Sequence, residues 1–340
     1  MKVPKARKLK NGTWFIQLRL NGKSIPVSAS TEKACTRKAE LLKAEYRSGK
    51  RTIRKELDDY TLQEIINKYL NRNKSILSAS TYRTYSVYSK SRFKAYLNKP
   101  ISKIDYQQMI NDELQNFSEK TVKNGWSLVH AALIDNEFPA PSVKLAKVPV
   151  NEIAFLQPDE IKLFIAELKD KPYEIPLLLE LHGLRLSEVR ALTWDKIDLK
   201  HNIITVQGAM VRGINGNVHK KTNKNDTSTR KVPIMIPRLK EVLQSADKQN
   251  EYLCSNAPQT LLDDVKRVCK NAGVTVVTNH GLRHSFASLG YYLGISERQL
   301  MQWGGWADYH TMHKIYIRLA AVSEKESIAK IQNFYKQNAN

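Results

Sequence analysis

Near the start of the chain, apolar positions recur with a period of two. Across residues 14–20, Trp14, Ile16, Leu18 and Leu20 fall on one face, and Gln17 and Arg19 on the other. Asn11-Gly12 and Asn21-Gly22 bracket this run. Asn-Gly favours a tight hairpin turn because both residues tolerate positive φ. A third strand over 23–28 would complete a three-stranded sheet, and a helix over 31–47 follows. Asn21-Gly22-Lys23-Ser24 mimics the end of a phosphate-binding loop, but the glycine required five residues earlier is missing, so it reads as a turn. Residues 48–59 are charged, have no apolar period and predict a linker.

From residue 60 the period becomes helical. Thr61-x-x-Glu64 is a capping box opening Leu62, Ile65, Ile66, Tyr69 and Leu70. A second helix is predicted over 81–97, with Tyr82, Tyr85, Tyr88 and Tyr96 towards its buried side. It stops at Asn98-Lys99-Pro100, where proline forbids continuation. Further helices fit 104–114 and 119–133. Pro139, Pro141 and Pro149 then mark a second boundary. Beyond it, helices are predicted at 158–168 and 176–184, a hairpin with strands at 203–206 and 231–236, and more helices to the end. The expected fold class is α+β and multidomain. A small three-stranded sheet plus helix occupies 1–57, an all-helical domain 60–145, and a mostly helical domain with a small antiparallel sheet 150–340.

Length and composition agree with this division. A chain of 340 residues exceeds one average domain, and 41% hydrophobic residues suffice for real cores. No run approaches the roughly 18–20 apolar residues needed to cross a membrane. Met1-Lys2-Val3-Pro4-Lys5 lacks the apolar stretch of a secretory signal, so a soluble intracellular protein is expected. Cys35, Cys254 and Cys269 match neither a CxxC clip nor a zinc module and read as buried or incidental thiols.

Charge changes the picture more. The chain holds 55 Lys and Arg against 33 acids, a net of +22. Residues 1–57 alone hold 16 Lys and Arg against 4 acids, a net of +12. Such an excess points to a polyanion, because neutralising phosphates releases condensed counterions. The basic region reads as strands and lacks a long amphipathic helix, which favours nucleic acid over a membrane surface. A sheet with an exposed Arg/Gln face suits the major groove. Arg83, Lys90, Arg92 and Lys94 either line a second DNA-facing surface or form an ordinary solvated helix face.

Four segments carry candidate chemistry. Gly183-Leu184-Arg185-Leu186-Ser187-Glu188 can present a guanidinium fork to a phosphate, although Arg and Glu three apart are usually a surface pair. A basic stretch runs from Lys221 and Thr222 through Lys224 to Ser228, Arg230, Val232 and Pro233. It reads first as a solvated hairpin loop, and it could set an ammonium beside a nucleic acid backbone. In His280-Gly281-Leu282-Arg283-His284, His280 and Arg283 share one helix face and can meet one small anion. A metal held by His280 and His284 fits the spacing, but no acidic or cysteine third ligand follows. Last come Gly304-Gly305-Trp306 and, ten residues after Trp306, Tyr316 between Ile315 and Ile317. A lone tyrosine is ordinarily core; chemical use requires a proton acceptor and cations around a pentacoordinate phosphorus.

Gly-Leu-Arg-x-Ser-Glu, a hairpin lysine ahead of Ser-x-Arg-x-Val-Pro, His-x-x-Arg and Gly-Gly-Trp before Tyr, in this order, resemble the signature of tyrosine recombinases of the phage integrase type. The resemblance extends over the whole chain: an arm-type DNA-binding domain at 1–57, a helical core-type DNA-binding domain at 60–145 and a catalytic domain at 150–340. It implies a three-domain integrase of a phage or integrative element. By position, Arg185 and Arg283 would clamp the non-bridging oxygens of the scissile phosphate, and His280 would accept or share the proton of Tyr316. Tyr316 would attack phosphorus to give a 3′-phosphotyrosyl link and a free 5′-hydroxyl, which a hairpin lysine protonates. Spacing from Ser-x-Arg selects Lys224, four residues before Ser228, whereas the usual Lys-Thr pair selects Lys221-Thr222; Lys224 is taken. Glu188 would orient the site. Trp306 stands where most relatives have His; its indole N–H donates one hydrogen bond but exchanges no proton, which implies binding. Tyr309 lies too close to Trp306 to be the nucleophile. The stripe Ile328, Ile331, Phe334 and Tyr335 would dock on a neighbouring subunit or fold back on its own domain.

The resemblance further implies double-stranded DNA attachment sites, a homotetramer on DNA, no cofactor or metal, and no membrane. It implies a cytoplasmic, nucleoid-associated role in a bacterial host, with an excisionase and a host DNA-bending protein as candidate partners. A resolvase or transposon recombinase stays open beside viral genome integration, and so does a non-cutting DNA-binding protein of the same fold. A relaxing topoisomerase is disfavoured by the arm-like sheet.

Overall fold

The N-terminal alternation folds as expected in the computed structural model, which describes residues 3–9, 12–20, 23–47, 60–149, 153–220, 229–309, 328 and 332. Strands β1 (Arg7–Lys8), β2 (Trp14–Leu20) and β3 (Lys23–Ala29) form an antiparallel sheet in that order. Its register runs from Trp14 opposite Ala29 to Leu20 opposite Lys23. The intervening Asn21-Gly22 lies outside the described residues. Ile16, Leu18 and Val27 point inward and pack on Cys35 and Ala39 of α1 (Glu32–Arg47). The opposite face exposes Gln17, Arg19, Ser24, Pro26 and Ser28, and Arg7 lies 5.2 Å over the Phe15 ring. The expected linker at 48–59 falls outside the described residues.

Helix α2 (Leu62–Arg72) begins with the anticipated capping box. The Thr61 hydroxyl accepts the Glu64 N–H at 3.3 Å, and the Glu64 carboxylate accepts the Thr61 N–H at 2.7 Å. It packs against α5 (Glu119–Asp135), where Val122, Val129 and Leu133 are buried. The single helix expected over 81–97 is a shorter α3 (Ala79–Ser91) followed by a 3₁₀ turn at Lys94–Tyr96. Between them Phe93 adopts φ +50, its ring buried and its N–H given to the Glu113 carboxylate at 3.0 Å instead of a helical carbonyl. Tyr82, Tyr85 and Tyr88 are only partly buried, and Ser89 takes the core position of α3. Tyr96 is buried as expected. Helix α4 (Tyr106–Leu114) starts two residues later than expected because the Asp105 carboxylate caps the N–H groups of Gln107 and Gln108. Residues 139–149 form no helix or strand.

In the remainder, α6 (Pro158–Leu168) has the predicted limits. Helix α7 (Glu174–Leu181) ends three residues early because Gly183, at φ +95, cannot continue it. Short α8 (Leu186–Val189) follows. Strands β4 (Ile197–Asp198), β5 (Ile203–Val206) and β8 (Arg230–Pro233) form an antiparallel sheet in that order. The strand expected over 231–236 thus begins one residue earlier and ends at Pro233. Between β5 and β8 lies an unforeseen second hairpin, β6 (Ala209–Arg212) with β7 (Asn217–Lys220). Helices α9 (Pro237–Ser245), α10 (Pro258–Asn271), α11 (Asn279–Tyr292) and α12 (Glu297–Gly304) follow. The three cysteines are free and buried.

The chain divides into two compact units, residues 1–77 with 84–148 and residues 78–83 with 149–340. At the centre of the second, α11 packs on α6, α7, α10 and α12 and buries ten residues from Asn279 to Gly290. Leu282 joins the core formed by Leu156, Phe164, Leu177, Leu179 and Val232. A β-carbon on Gly281 would come within 2.6 Å of the Ala154 carbonyl oxygen. Replacing Gly281 by alanine therefore pushes α11 off the segment before α6. The expected loss is about 1–3 kcal/mol, read as a lower denaturant midpoint with an unchanged m value; an unaltered midpoint would refute this packing.

Candidate active site

Gly183 turns the chain out of α7 so that Arg185 becomes the N-cap of α8. A side chain at 183 would also strike the Phe286 ring. One turn on, Glu188 reaches back. Its Oε2 accepts the Arg185 backbone N–H at 2.9 Å and its Oε1 accepts Arg185 Nη1 at 2.7 Å. From β8, Arg230 meets the same carboxylate, Nη1 on Oε1 at 3.0 Å and Nη2 on Oε2 at 2.9 Å, and donates Nε–H to the Trp303 carbonyl at 2.7 Å. Glu188 and Arg230 are buried, whereas the Arg185 side chain keeps 39% exposure. Burial alone would raise the Glu188 pKa. The hydrogen bonds and charge of Arg230, then the charge of Arg185, override it and hold the carboxyl below its ordinary range.

Helix α11 contributes the other guanidinium. Arg283 is 1% exposed. Its Nη1 donates to the carbonyls of Gly183 and Gly304, each at 2.5 Å. Arg185 Nη2 donates to the next carbonyl, Gly305, at 2.5 Å, so adjacent peptide groups bring the two guanidiniums together. Arg283 lies 3.8 Å over the Trp306 ring, which stacks on Phe286 at a centroid distance of 6.5 Å. Its Nε and Nη2 are buried and have no partner among the described residues. That edge is the one with which a guanidinium grips two oxygens of one anion. Burial first, then the Arg185 charge, disfavour its cation, with Glu188 giving partial relief.

His280 sits one turn before Arg283, its ring reaching solvent and lying 4.6 Å edge-on from His284. The surrounding protein desolvates it, and the charges of Arg283 and Arg185 add to this, so its pKa is lowered and the ring is neutral near pH 7. A neutral imidazole can accept a proton. Among the described residues three guanidiniums, Arg185, Arg230 and Arg283, surround one carboxylate, Glu188, a surplus of two positive charges.

Of the six residues singled out from sequence, Arg185, Arg283 and Trp306 fall into one cluster, and His280 stands on the same helix as Arg283. Trp306 is buried under Arg283. Lys224, its alternative Lys221, and Tyr316 lie outside the described residues. Of the terminal stripe only Ile328 is described, and it is exposed. Sequence reading quoted Arg230 within its motif without placing it in the site. The signal was available: along β8, Arg230 and Val232 are buried while Lys231 and Pro233 are exposed, so Arg230 occupies a core position of the alternation. Also missed was Asn279 Nδ2 donating to both oxygens of the fully buried Glu180 at 3.0 and 2.8 Å. Among the described residues no three His, Cys, Asp or Glu side chains are grouped to hold a metal.

The profile of the phage integrase family matches residues 154–322, about half of the chain. The tyrosine recombinase XerA of Pyrococcus furiosus is 30% identical over 209 residues, which cover 56% of this chain and 66% of the relative. Among solved structures, the Tn1549 transposon integrase in complex with transposon right end DNA superposes with a TM-score of 0.63. It has 18% identity and covers 78% of this chain and 99% of that one. A lambda integrase dimer bound to a core site gives 0.56 at 17% identity, covering 93% and 95%.

Glu180 supplies a pH signature for the site's foundation. Burial raises its pKa to about 8, against the lowering effect of Asn279. The folded chain therefore keeps it protonated while the unfolded chain ionises it above about pH 4.5. Stability falls as pH rises from that value to about 8, by up to about 1.4 kcal/mol per unit for one proton. Glu180→Gln is expected to remove this slope, so that the variant gains on wild type at pH 8 and the two converge near pH 5. Parallel curves in denaturant titrations across this range would refute the assignment.

Proposed function

This chain belongs to the phage integrase family of tyrosine recombinases, enzymes that cut and rejoin DNA at specific sites, and we propose that it integrates or excises a mobile element through a 3′-phosphotyrosyl intermediate. The observation that carries this reading is the buried Nε and Nη2 edge of Arg283, unpartnered among the described residues beside Arg185. A phosphodiester brings one negative charge and its pentacoordinate transition state two. The cluster's surplus of two positive charges therefore suits the transition state better than the ground state.

In the proposed reaction, Tyr316 Oη attacks the scissile phosphorus as neutral His280 takes its proton. Arg185 and Arg283 hold the non-bridging oxygens, and Trp306 supports the clamp. The bond from phosphorus to the 5′-oxygen breaks, its electron pair leaves on that oxygen, and Lys224 protonates it. The phosphotyrosyl ester conserves the bond's energy, so an incoming 5′-hydroxyl can reverse the step on a new strand without ATP, metal or cofactor. We assign residues 1–57 to arm-type DNA binding, 60–145 to core-type binding and 150–340 to catalysis. The exposed Gln17 and Arg19 face and the basic excess of 1–57 support the first. Working partners would be two DNA attachment sites, three further copies in a homotetramer, an excisionase and a host DNA-bending protein, in the bacterial cytoplasm at the nucleoid. Among the described residues no helix is long and apolar enough to cross a membrane.

The decisive experiment selects a binding site from a random duplex library with the full chain, then presents it as a nicked suicide substrate. Wild type is expected to form a denaturant-stable 3′ adduct, and Tyr316→Phe to bind equally and form none. Arg283→Lys, which keeps charge but loses the fork, should lower the adduct rate by about 10²–10³-fold. Binding without linkage by wild type would turn the reading to a non-cutting DNA-binding protein. Deleting residues 1–57 should flatten the salt dependence of DNA affinity; an unchanged slope removes the arm-domain assignment.

A further inference from the structure

Arg230 is the one cation of the cluster that the reaction above does not use, and its contacts lie behind the phosphate clamp. Both anchors of the Arg185 guanidinium depend on it. The first is Glu188, whose two oxygens are shared between Arg185 and Arg230 in matched pairs: Oε1 takes one Nη1 from each, and Oε2 takes the Arg185 backbone N–H and Arg230 Nη2. The second is the Gly305 carbonyl, which accepts Arg185 Nη2. Gly305 sits in the left-handed conformation that closes α12, at φ +68, and a β-carbon there would come 2.6 Å from Arg230 Nη1. Arg230 Nε also fixes the Trp303 carbonyl in the last turn of that helix. The same turn presents the Gly304 carbonyl to Arg283 and sets Trp306 beneath it.

Arg230 also begins β8, paired with Val206 of β5, directly after the segment that carries Lys224. One planar, buried group thus bonds the carboxylate behind Arg185 and the turn behind Arg283, and it stands at the end of the lysine segment. Five donors in a fixed fork suit this task, whereas a lysine ammonium could satisfy the Glu188 charge but not span Glu188 and Trp303 in one plane.

We propose that Arg230 is a positioning residue for strand cleavage, locking Glu188 to the Trp303–Gly305 turn so that Arg185 and Arg283 are pre-set to the spacing of one phosphate. The inference rests on the recombinase reading. It is expected to act on rate and not on affinity, because Arg230 is buried and bonded to Glu188 and the Trp303 carbonyl. A small displacement of the clamp is enough: misplacing catalytic groups by about 1 Å can cost on the order of 10²-fold in rate.

The test compares wild type, Arg230→Lys and the paired replacement Glu188→Gln with Arg230→Met, all as full chains, on the selected nicked substrate. The paired variant removes both buried charges together, so it is expected to fold even where Arg230→Lys does not. Two quantities are read: the dissociation constant for DNA, and the single-turnover adduct rate at saturating DNA. The expected result is a dissociation constant within about threefold of wild type and an adduct rate lowered about 100-fold in each variant that folds. A rate that falls only as far as affinity falls, or that stays at the wild-type value, overturns the proposal while leaving the recombinase reading intact. Failure of wild type itself to form the adduct defeats that reading, and this inference with it. A fluorine resonance supplies a second readout in chains labelled with 5-fluorotryptophan. Trp306 should shift in Arg230→Lys while Trp14, Trp126 and Trp194 hold their positions; movement of Trp194 as well would mark general unfolding of the unit and refute a positioning role.

Discussion

Burying a guanidinium costs several kcal/mol unless its charge and its N–H groups are answered, and the arrangement of the second unit follows from how Arg283 is answered. Nη1 is taken by two carbonyls that come from opposite sides of the cluster, Gly183 ahead of α8 and Gly304 at the end of α12. The cationic face lies on Trp306, and Phe286 backs the indole in turn. Among the described residues the negative charge bonded within the cluster is that of Glu188, which Arg185 and Arg230 share. The remaining edge of Arg283 is buried and without a hydrogen-bond partner among the described residues. A side chain in that condition persists only because the hydrophobic core around α11 holds it there.

In the proposed reaction the same condition would let the site lower a barrier instead of merely binding DNA. Flexible surface cations reorganise around a phosphate at an energetic cost that recurs with each transition state. Arg185 and Arg283 are fixed beforehand by carbonyls and a carboxylate, so in the proposed reaction little reorganisation would be left when charge builds on phosphorus. Neutral His280 belongs to the same logic. Desolvation first, then the charges of Arg283 and Arg185, lower the imidazole pKa, which in the proposed reaction would keep a proton acceptor available.

Much of this was legible in the sequence, for identifiable reasons. The strands at 14–20 and 203–206, the capping box at Thr61 and the helix at 158–168 are governed by local chemistry, and local chemistry is what a period or a cap records. Some misreadings occurred where a distant contact prevailed, others where a local signal was passed over. Nothing near Phe93 announces that its N–H will turn to Glu113, twenty residues away, and end α3 early. The tyrosines of α3 carry the period of a buried face without occupying a core. The hairpin of β6 and β7 was missed although Asn215-Gly216 carries the same turn signal as the two Asn-Gly pairs near the N-terminus. Within the site, motif order brought out Arg185, Arg283 and Trp306. It passed over Arg230 because an arginine in a basic loop reads as solvated until the strand alternation places it inside.

The two populations of positive charge in this chain do different physical work. More than half of the net +22 lies in residues 1–57, on a segment whose described cations are largely exposed. Such charges are screened over about 8–10 Å at physiological ionic strength, so under the proposed assignment they would govern encounter and affinity and respond to salt. Arg230 and Arg283 are buried, and their field acts through a medium of low polarisability where mobile ions do not enter. Salt therefore weakens the grip on DNA far more than it weakens the clamp on a phosphate already in place. Under the proposed reading, the separation would let affinity for a site and reactivity at its scissile bond vary independently.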